Sequence, residues 1–219
     1  AKARAERIET LLDHEIDVKD DGNLEEVSEL KGSIQVKDLT FQYPDGDSPV
    51  LKNVSFEINQ GEMVGILGRT GSGKSSLVDL FLRIYNLNED QVFIDGHDIM
   101  KIPIHAVRDT IGYVPQDNFL FSETIYSNIG FAYEEVDAGK IEEAARLSDV
   151  YDNIMEFKEK FSTVLGERGV TVSGGQKQRI SIARALAKNP EILILDDSVS
   201  AVDTKTEEAI ISNLHRVRQ

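Results

Sequence analysis

Cysteine is absent from the 219 residues, which excludes a disulfide framework and fits a reducing compartment such as the cytosol. Long apolar runs are absent too. The longest, Met63 to Leu67 and Ile192 to Leu195, fall far short of the roughly 18 to 20 residues that cross a bilayer. Positive charge is scarce, with 24 Lys and Arg against 39 Asp and Glu and a formal net charge of −15. That balance works against broad, sequence-independent binding to DNA or RNA, which depends on neutralising phosphates, but it leaves room for a local anion site. Ala1 to Arg7 carry neither an initiating Met nor an apolar signal core, so the chain is expected to be a piece of something longer. Internal repeats and low-complexity tracts are missing as well. What is present is an ordinary folded composition, 40% hydrophobic and 29% charged, in a chain long enough for one sizeable α/β core with attachments.

Ile8, Leu11 and Leu12 stand at helical spacing ahead of an acidic stretch from Asp13 to Glu29, which reads as a short helix and an exposed linker. From Ser33 the period becomes two. Ile34 with Val36, Phe41 with Tyr43 and, after a Pro-Asp-Gly turn at 44–46, Val54, Phe56 and Ile58 predict half-buried antiparallel strands. Met63 to Leu67, a Gly-rich loop, and then Leu77, Leu80, Phe81 and Ile84 read as strand, loop and helix. Val92 to Ile94 and Ile111 to Val114 predict short strands, whereas Thr124 to Phe131, Lys140 to Leu147 and Val150 to Phe157 predict helices. Gln176 to Lys188 predicts a helix closed by Asn189-Pro190, followed by a buried strand, Ile192 to Leu195, that ends in Asp196-Asp197. Thr204 and Glu207 match a capping box for a last helix.

The sharpest motif is Gly68-Arg-Thr-Gly-Ser-Gly-Lys74-Ser75, a full match to G-x-x-x-x-G-K-[ST] between a predicted strand and a predicted helix. Glycines let backbone N–H groups converge on phosphate oxygens without Cβ clashes, and the helix N-terminus adds partial positive charge. Lys74 reaches the β- and γ-phosphates and Ser75 can ligate Mg2+. A phosphate loop of this kind needs a carboxylate for the metal at the end of a neighbouring strand, and Asp196 after Ile192-Leu-Ile-Leu supplies it. A second helix start, Val172-Ser173-Gly174-Gly175-Gln176, combines a Ser cap with glycines that allow close backbone approach.

This last stretch resembles the signature motif of the ABC ATPase family, usually Leu-Ser-Gly-Gly-Gln, with only its first residue departing. The resemblance runs from about residue 33 to the end, with weaker features in the family's order. It implies an α/β fold: a P-loop NTPase core of the ABC ATPase type with a small antiparallel β subdomain and an α-helical subdomain near residues 117–172. Residues 1–31 would be a linker from a transmembrane domain and 32–219 the nucleotide-binding domain. The implied ligands are ATP and Mg2+, with Val50, Gly68, Thr70, Gly71, Ser72, Gly73, Lys74, Ser75 and Ser76 on the nucleotide. Tyr43 resembles the aromatic that stacks on adenine; taken alone it reads equally as packing. Gln116, in Tyr113-Val-Pro-Gln116, resembles the residue that approaches Mg2+ beside Ser75 and Asp196 and faces the transmembrane coupling helices. Gly166-Glu-Arg-Gly169 resembles an exporter loop contacting those helices, and Ser200-Ala-Val-Asp203 a loop that crosses the dimer interface, where Asp203 reads equally as a helix cap. Two such domains pair head to tail in the family, so Ser173, Gly174, Gly175 and Gln176 would act on ATP held by a partner domain. Ala1 to Asp13 resembles the end of the last transmembrane helix leading into an exporter's ATPase domain, on the cytoplasmic side of the membrane.

Two departures qualify the resemblance. The family places Glu after the metal Asp as general base, and here stands Asp197, shorter by one methylene or about 1.5 Å. A misplacement near 1 Å costs about 100-fold in rate, so the implied catalytic set of Lys74, Gln116 and Asp197 is expected to bind ATP while hydrolysing it slowly. Family members with such a degenerate site are commonly heterodimers of the multidrug-exporter type, which favours a heterodimeric partner over a second copy. Second, the family's terminal strand and switch-loop His are missing before Gln219, and His14, His97, His105 and His215 fall outside that motif. The rival readings are an ATP-dependent clamp and the ATPase head of a nucleic-acid-handling ABC protein, the latter opposed by charge and length.

Overall fold

The computed structural model describes residues 16–20, 22, 24–132, 137–166, 170–197 and 204–217. The elements run β1 (Ile34–Phe41), β2 (Leu51–Ile58), α1 (Lys74–Phe81), β3 (Val92–Ile94), β4 (His97–Asp98), α2 (Ile104–Thr110), β5 (Ile111–Val114), α3 (Ile125–Ile129), α4 (Ala138–Leu147), α5 (Tyr151–Glu156), α6 (Gly174–Ala187), β6 (Ile192–Leu195) and α7 (Thr204–Val217). The chain divides into two compact units. One holds the described residues before Leu30 with Ser33–Ile58 and Gly65–Val107; the other holds Leu30–Gly32, Asn59–Val64 and the described residues from Arg108 on.

The first unit is organised by an antiparallel sheet in the order β2-β1-β3-β4. In β1 the residues Ile34, Val36, Leu39 and Phe41 are all buried, yet 36 and 39 are out of phase for a strand of period two. An irregularity resolves the conflict: the register slips between Val36 and Leu39. Asp38 there takes φ 44° and donates its N–H to Ser55 Oγ at 2.8 Å, as a bulge that returns the later side chains to the inner face. The hairpin closes through Gly46 N–H to Tyr43 O at 2.9 Å and Val50 N–H to Phe41 O at 2.8 Å. Helix α1 buries Leu77, Val78, Leu80 and Phe81. It stops before Ile84, which is exposed, because Arg83 turns left-handed at φ 52°.

The acidic segment ahead of β1 is tied to this same unit. Asn86 Nδ2 donates to Asp17 O at 2.7 Å, Glu25 N–H donates to Lys101 O at 2.7 Å, and the Glu25 carboxylate meets His97 Nδ1 at 2.9 Å. Helix α2 follows Pro103, which has no polar side chain to cap it; Asp20, 84 positions away in sequence, accepts the Ile104 N–H at 3.0 Å instead.

In the second unit β5 and β6 pair in parallel, Ile111 to Val114 against Ile192 to Leu195. Helix α6 is its spine. Ile180, Ala183 and Ala187 join Ile125, Ile129, Ile141 and Ile154 in one buried cluster, while Ile182 and Ala185 join Val114, Ile210 and Leu214 in another. Apolar residues on two sides of a helix call for cover on both. Gly112 in β5 is required by crowding, since a Cβ there would lie 2.6 Å from Pro190 Cγ and 3.1 Å from Ala185 O.

The expected strands, their antiparallel pairing near the start and most of the expected helices are present. Met63 to Leu67 is the exception: no ladder pairs this run, and Leu67 is 97% exposed. A run that is mostly apolar carries no period to select a face, so its strand character depends wholly on neighbours. Helix α7 runs over Thr204–Val217. The readings of Ala1 to Asp13, of Glu167 to Gly169 and of Ser200 to Asp203 lie outside the described residues. Among the described residues no helix is long and apolar enough to cross a membrane.

Candidate functional site

In the first unit the glycine-rich loop opens α1 with Gly73 as N-cap at φ 90° and no side-chain cap. Glycine is required there twice over. The left-handed φ disfavours any side chain, and a Cβ would lie 2.8 Å from Leu51 Cδ2 and 3.1 Å from Val50 Cγ1. Gly68 is confined differently, with a Cβ position 2.5 Å from Ser72 Oγ. Gly71, at φ 79°, faces open space. The Lys74 ammonium curls back over the loop, donating to Gly68 O at 2.9 Å and Arg69 O at 3.1 Å. A cation held by the loop's own carbonyls, beside a helix start without a side-chain cap, is the donor set a phosphate group needs. Thr70, Ser72 and Ser75 are exposed on this loop, and Ser76 is buried behind it.

Tyr43 leaves the sheet at the end of β1 and turns toward α1. Its hydroxyl lies 2.7 Å from Ser76 Oγ. Its ring stands edge-on to Phe41, with centroids 5.0 Å apart, and to Tyr85, at 5.1 Å. Tyr85 was not anticipated from sequence; its only signal was an aromatic residue just beyond the α1 pattern.

In the second unit Asp196 and Asp197 follow β6. Asp196 N–H donates to Val114 O at 3.0 Å, which extends the parallel ladder and fixes where the carboxylate leaves the strand. Asp197 is exposed, with φ 48°, a left-handed conformation that Asp tolerates better than most residues. Gln116 approaches it, its Nε2 donating to Asp197 Oδ2 at 3.4 Å. Gln116 and Asp196 in this unit offer oxygen donors, the kind that suits Mg2+, and Mg2+ sites ordinarily combine one or two carboxylates with phosphate oxygens rather than a full protein cage. The donor chemistry of Gln116 and Asp196 therefore fits a Mg2+ ion that takes its remaining oxygens from a bound ligand.

Ser173 caps α6 in a complete capping box: Gln176 N–H donates to Ser173 Oγ at 3.2 Å and Ser173 N–H to Gln176 Oε1 at 3.0 Å. Gly174 has open space where a Cβ would stand, so the backbone of this helix start can be approached closely. A further cluster escaped the sequence reading. The Arg184 guanidinium, whose burial lowers its pKa from the ordinary value, donates from Nε to Asn128 O at 2.7 Å, from NH2 to Asn128 Oδ1 at 2.9 Å and from NH1 to Phe119 O at 2.9 Å. Phe121 and Phe131 stack at 4.3 Å, Phe121 meets Phe119 edge-on at 5.0 Å, and Phe119 and Phe131 are 63% and 60% exposed. The available signal was three phenylalanines within 13 residues just after Gln116.

A lysine-bearing glycine loop that opens a glycine-capped helix defines a phosphate-binding domain of the P-loop class. The family model for the ABC transporter matches residues 51–200. The chain is 44% identical over 211 residues to the uncharacterized ABC transporter ATP-binding protein YfiB of Bacillus subtilis, covering 96% of this chain and 36% of that protein. It is 40% identical over 218 residues to the ATP-dependent lipid A-core flippase of Yersinia pestis, covering 99% of this chain and 37% of the flippase. A solved bacterial Atm1-family ABC exporter with ATP bound superposes at TM-score 0.91 with 35% identity, covering 99% of this chain and 38% of the exporter. The chain belongs to the ABC transporter family, as its ATP-binding domain, and spans a little over a third of the length of the curated relatives it matches.

Proposed function

We propose that this domain binds Mg2+-ATP, pairs with a second ABC ATPase domain and, through the transmembrane domain of its parent chain, drives export of a substrate from the cytoplasmic side of the membrane. One observation carries the reading: Lys74 poised on Gly68 O and Arg69 O beside a helix capped by glycine alone. ATP with its Mg2+ supplies the transferable phosphoryl group and neutralises charge as the bond breaks. The chain's own residues position and polarise. Lys74 would exchange its loop carbonyls for phosphate oxygens, Ser75 and Asp196 would each offer an oxygen to the metal, Tyr43 would meet the base, and Gln116 with Asp197 would orient the attacking water. Ser173 to Gln176 serve the ATP of the partner domain. The exposed Phe119 and Phe131, packed on half-buried Phe121 and braced on Arg184 just after Gln116, offer an apolar surface to the transmembrane domain.

The domain's own site is the weaker of a pair, and its partner is a different chain. Asp197 supports this reading twice, by its missing methylene and by a left-handed backbone that a Glu would strain. The same residue favours, as second reading, a clamp that dimerises on ATP without turnover. In the full-length protein, Lys74→Ala should weaken Mg2+-ATP binding by about 10- to 100-fold, the range for a charged hydrogen-bond donor. Unaltered affinity in a titration removes the reading. Asp197→Glu should raise turnover of the assembled pair about tenfold or more; an unchanged rate rules out the weak site, and full-rate hydrolysis by a homodimer rules out the heterodimer.

A further inference from the structure

Resting on the nucleotide reading above, we infer that Tyr43 is more than a surface for the base: through Ser76 it is a positioning residue for the phosphates. Its hydroxyl lies 2.7 Å from Ser76 Oγ, and either atom can be the donor. Ser76 is 7% exposed and stands in the first turn of α1, two residues after Lys74. The Tyr43 ring cannot drift from this contact without breaking its edge-on packing on Phe41 and Tyr85.

A serine hydroxyl has one proton and two lone pairs. On the reading that sets Ser76 against the nucleotide phosphates, a Ser76 that spends its proton on Tyr43 turns only lone pairs to the anion and repels it. If Tyr43 donates instead, the Ser76 proton is released to a phosphate oxygen, and the two bonds in series strengthen each other. An anion on the loop therefore selects the second arrangement. The phenol of Tyr43 thus orients the hydroxyl that grips phosphate, and base recognition and phosphate recognition share one relay. A residue that only stacks on a base has no such influence on a ligand that lacks a base.

The discriminating probes are Mg2+-ATP and inorganic tripolyphosphate with Mg2+, titrated against the full-length protein by displacement of a fluorescent ATP analogue. Tyr43→Phe keeps the ring and removes the hydroxyl. It should weaken both ligands by a similar factor, about threefold to tenfold, the ordinary worth of one hydrogen bond. Ser76→Ala should weaken both at least as much, adding Tyr43→Phe to Ser76→Ala should change nothing further, and Ser76→Thr should restore affinity. The relay is overturned if Tyr43→Phe leaves tripolyphosphate affinity untouched, if tripolyphosphate does not compete at all, or if the two single losses multiply in the double variant. Lys74→Ala separates the two levels of the argument. ATP binding that is indifferent to Lys74 sinks the nucleotide reading itself, whereas Lys74-dependent binding with multiplicative losses sinks only the relay.

Discussion

Two glycines of the phosphate loop share a left-handed backbone but differ in their surroundings, and the comparison isolates what each term contributes. Gly71 has φ 79° with nothing within 4 Å of a Cβ position, whereas Gly73 has φ 90° with Leu51 Cδ2 at 2.8 Å and Val50 Cγ1 at 3.1 Å. Gly71→Ala meets only the conformational cost of a side chain at positive φ, about 1–2 kcal/mol. Gly73→Ala meets that cost and must also displace Leu51, which is buried, for a further penalty of about 1–3 kcal/mol from overpacking. At about 2–4 °C per kcal/mol for a chain of this size, Gly71→Ala should lower the melting temperature by about 2–8 °C. Gly73→Ala should exceed it by about 2–12 °C. Paired calorimetric scans of the two variants, with Gly71→Asn as a control that tolerates the left-handed region, measure the difference directly. Equal melting temperatures for the two alanine variants would refute the reasoning, because crowding by Leu51 and Val50 would then contribute nothing.

Asn128 is fully buried, accepts from Arg184 NH2 and Phe121 N–H, and donates to Phe121 O and Thr124 O. Asn128→Ala should therefore cost about 2–4 kcal/mol, read as a lowered urea midpoint, because it strands several buried groups together; an unmoved midpoint contradicts the network. Asp20→Ala removes the remote cap of α2 and should cost about 1 kcal/mol. It should also speed amide exchange at Ile104 while Asp20→Asn leaves it nearly unchanged, and equal exchange in all three proteins denies the cap.

Strand and helix positions were legible wherever side chains alternate or recur with a period that one buried face enforces. The antiparallel lobe shows this best: Ile34 and Val36, then Leu39 and Phe41, are the buried residues of β1. The change of phase between the two pairs was not read from sequence, which paired Phe41 with Tyr43, and the irregularity at Asp38 accounts for it. What escaped was non-local. Helix α2 has no polar residue before it to announce a cap, since its cap comes from Asp20, and β4 is two residues long and exists by pairing with β3. The strand expected at Met63 to Leu67 fails for the opposite reason. Its apolar residues promise burial but name no partner, and only ladder bonds from neighbours turn such a run into a strand.

The candidate site was legible as residue types because phosphate and Mg2+ chemistry tolerates few alternatives, but its internal wiring was not. Spacing alone says nothing of the Tyr43 hydroxyl meeting Ser76 or of Gln116 leaning on Asp197. Asp197 shows how the two levels interact. Sequence presents it as a carboxylate about 1.5 Å short, and structure adds that the residue sits at φ 48°, where replacing Asp by Glu costs up to about 1–2 kcal/mol of backbone strain. The side chain thus suits the turn after β6 as well as limiting the reach of the carboxylate. For Asp197→Glu, stability and turnover should move in opposite directions: a lower melting temperature in the same protein that hydrolyses ATP faster. A variant that gains rate with no loss of stability means the left-handed backbone is not what Asp197 secures, and one that loses both means its short reach is not what limits the reaction.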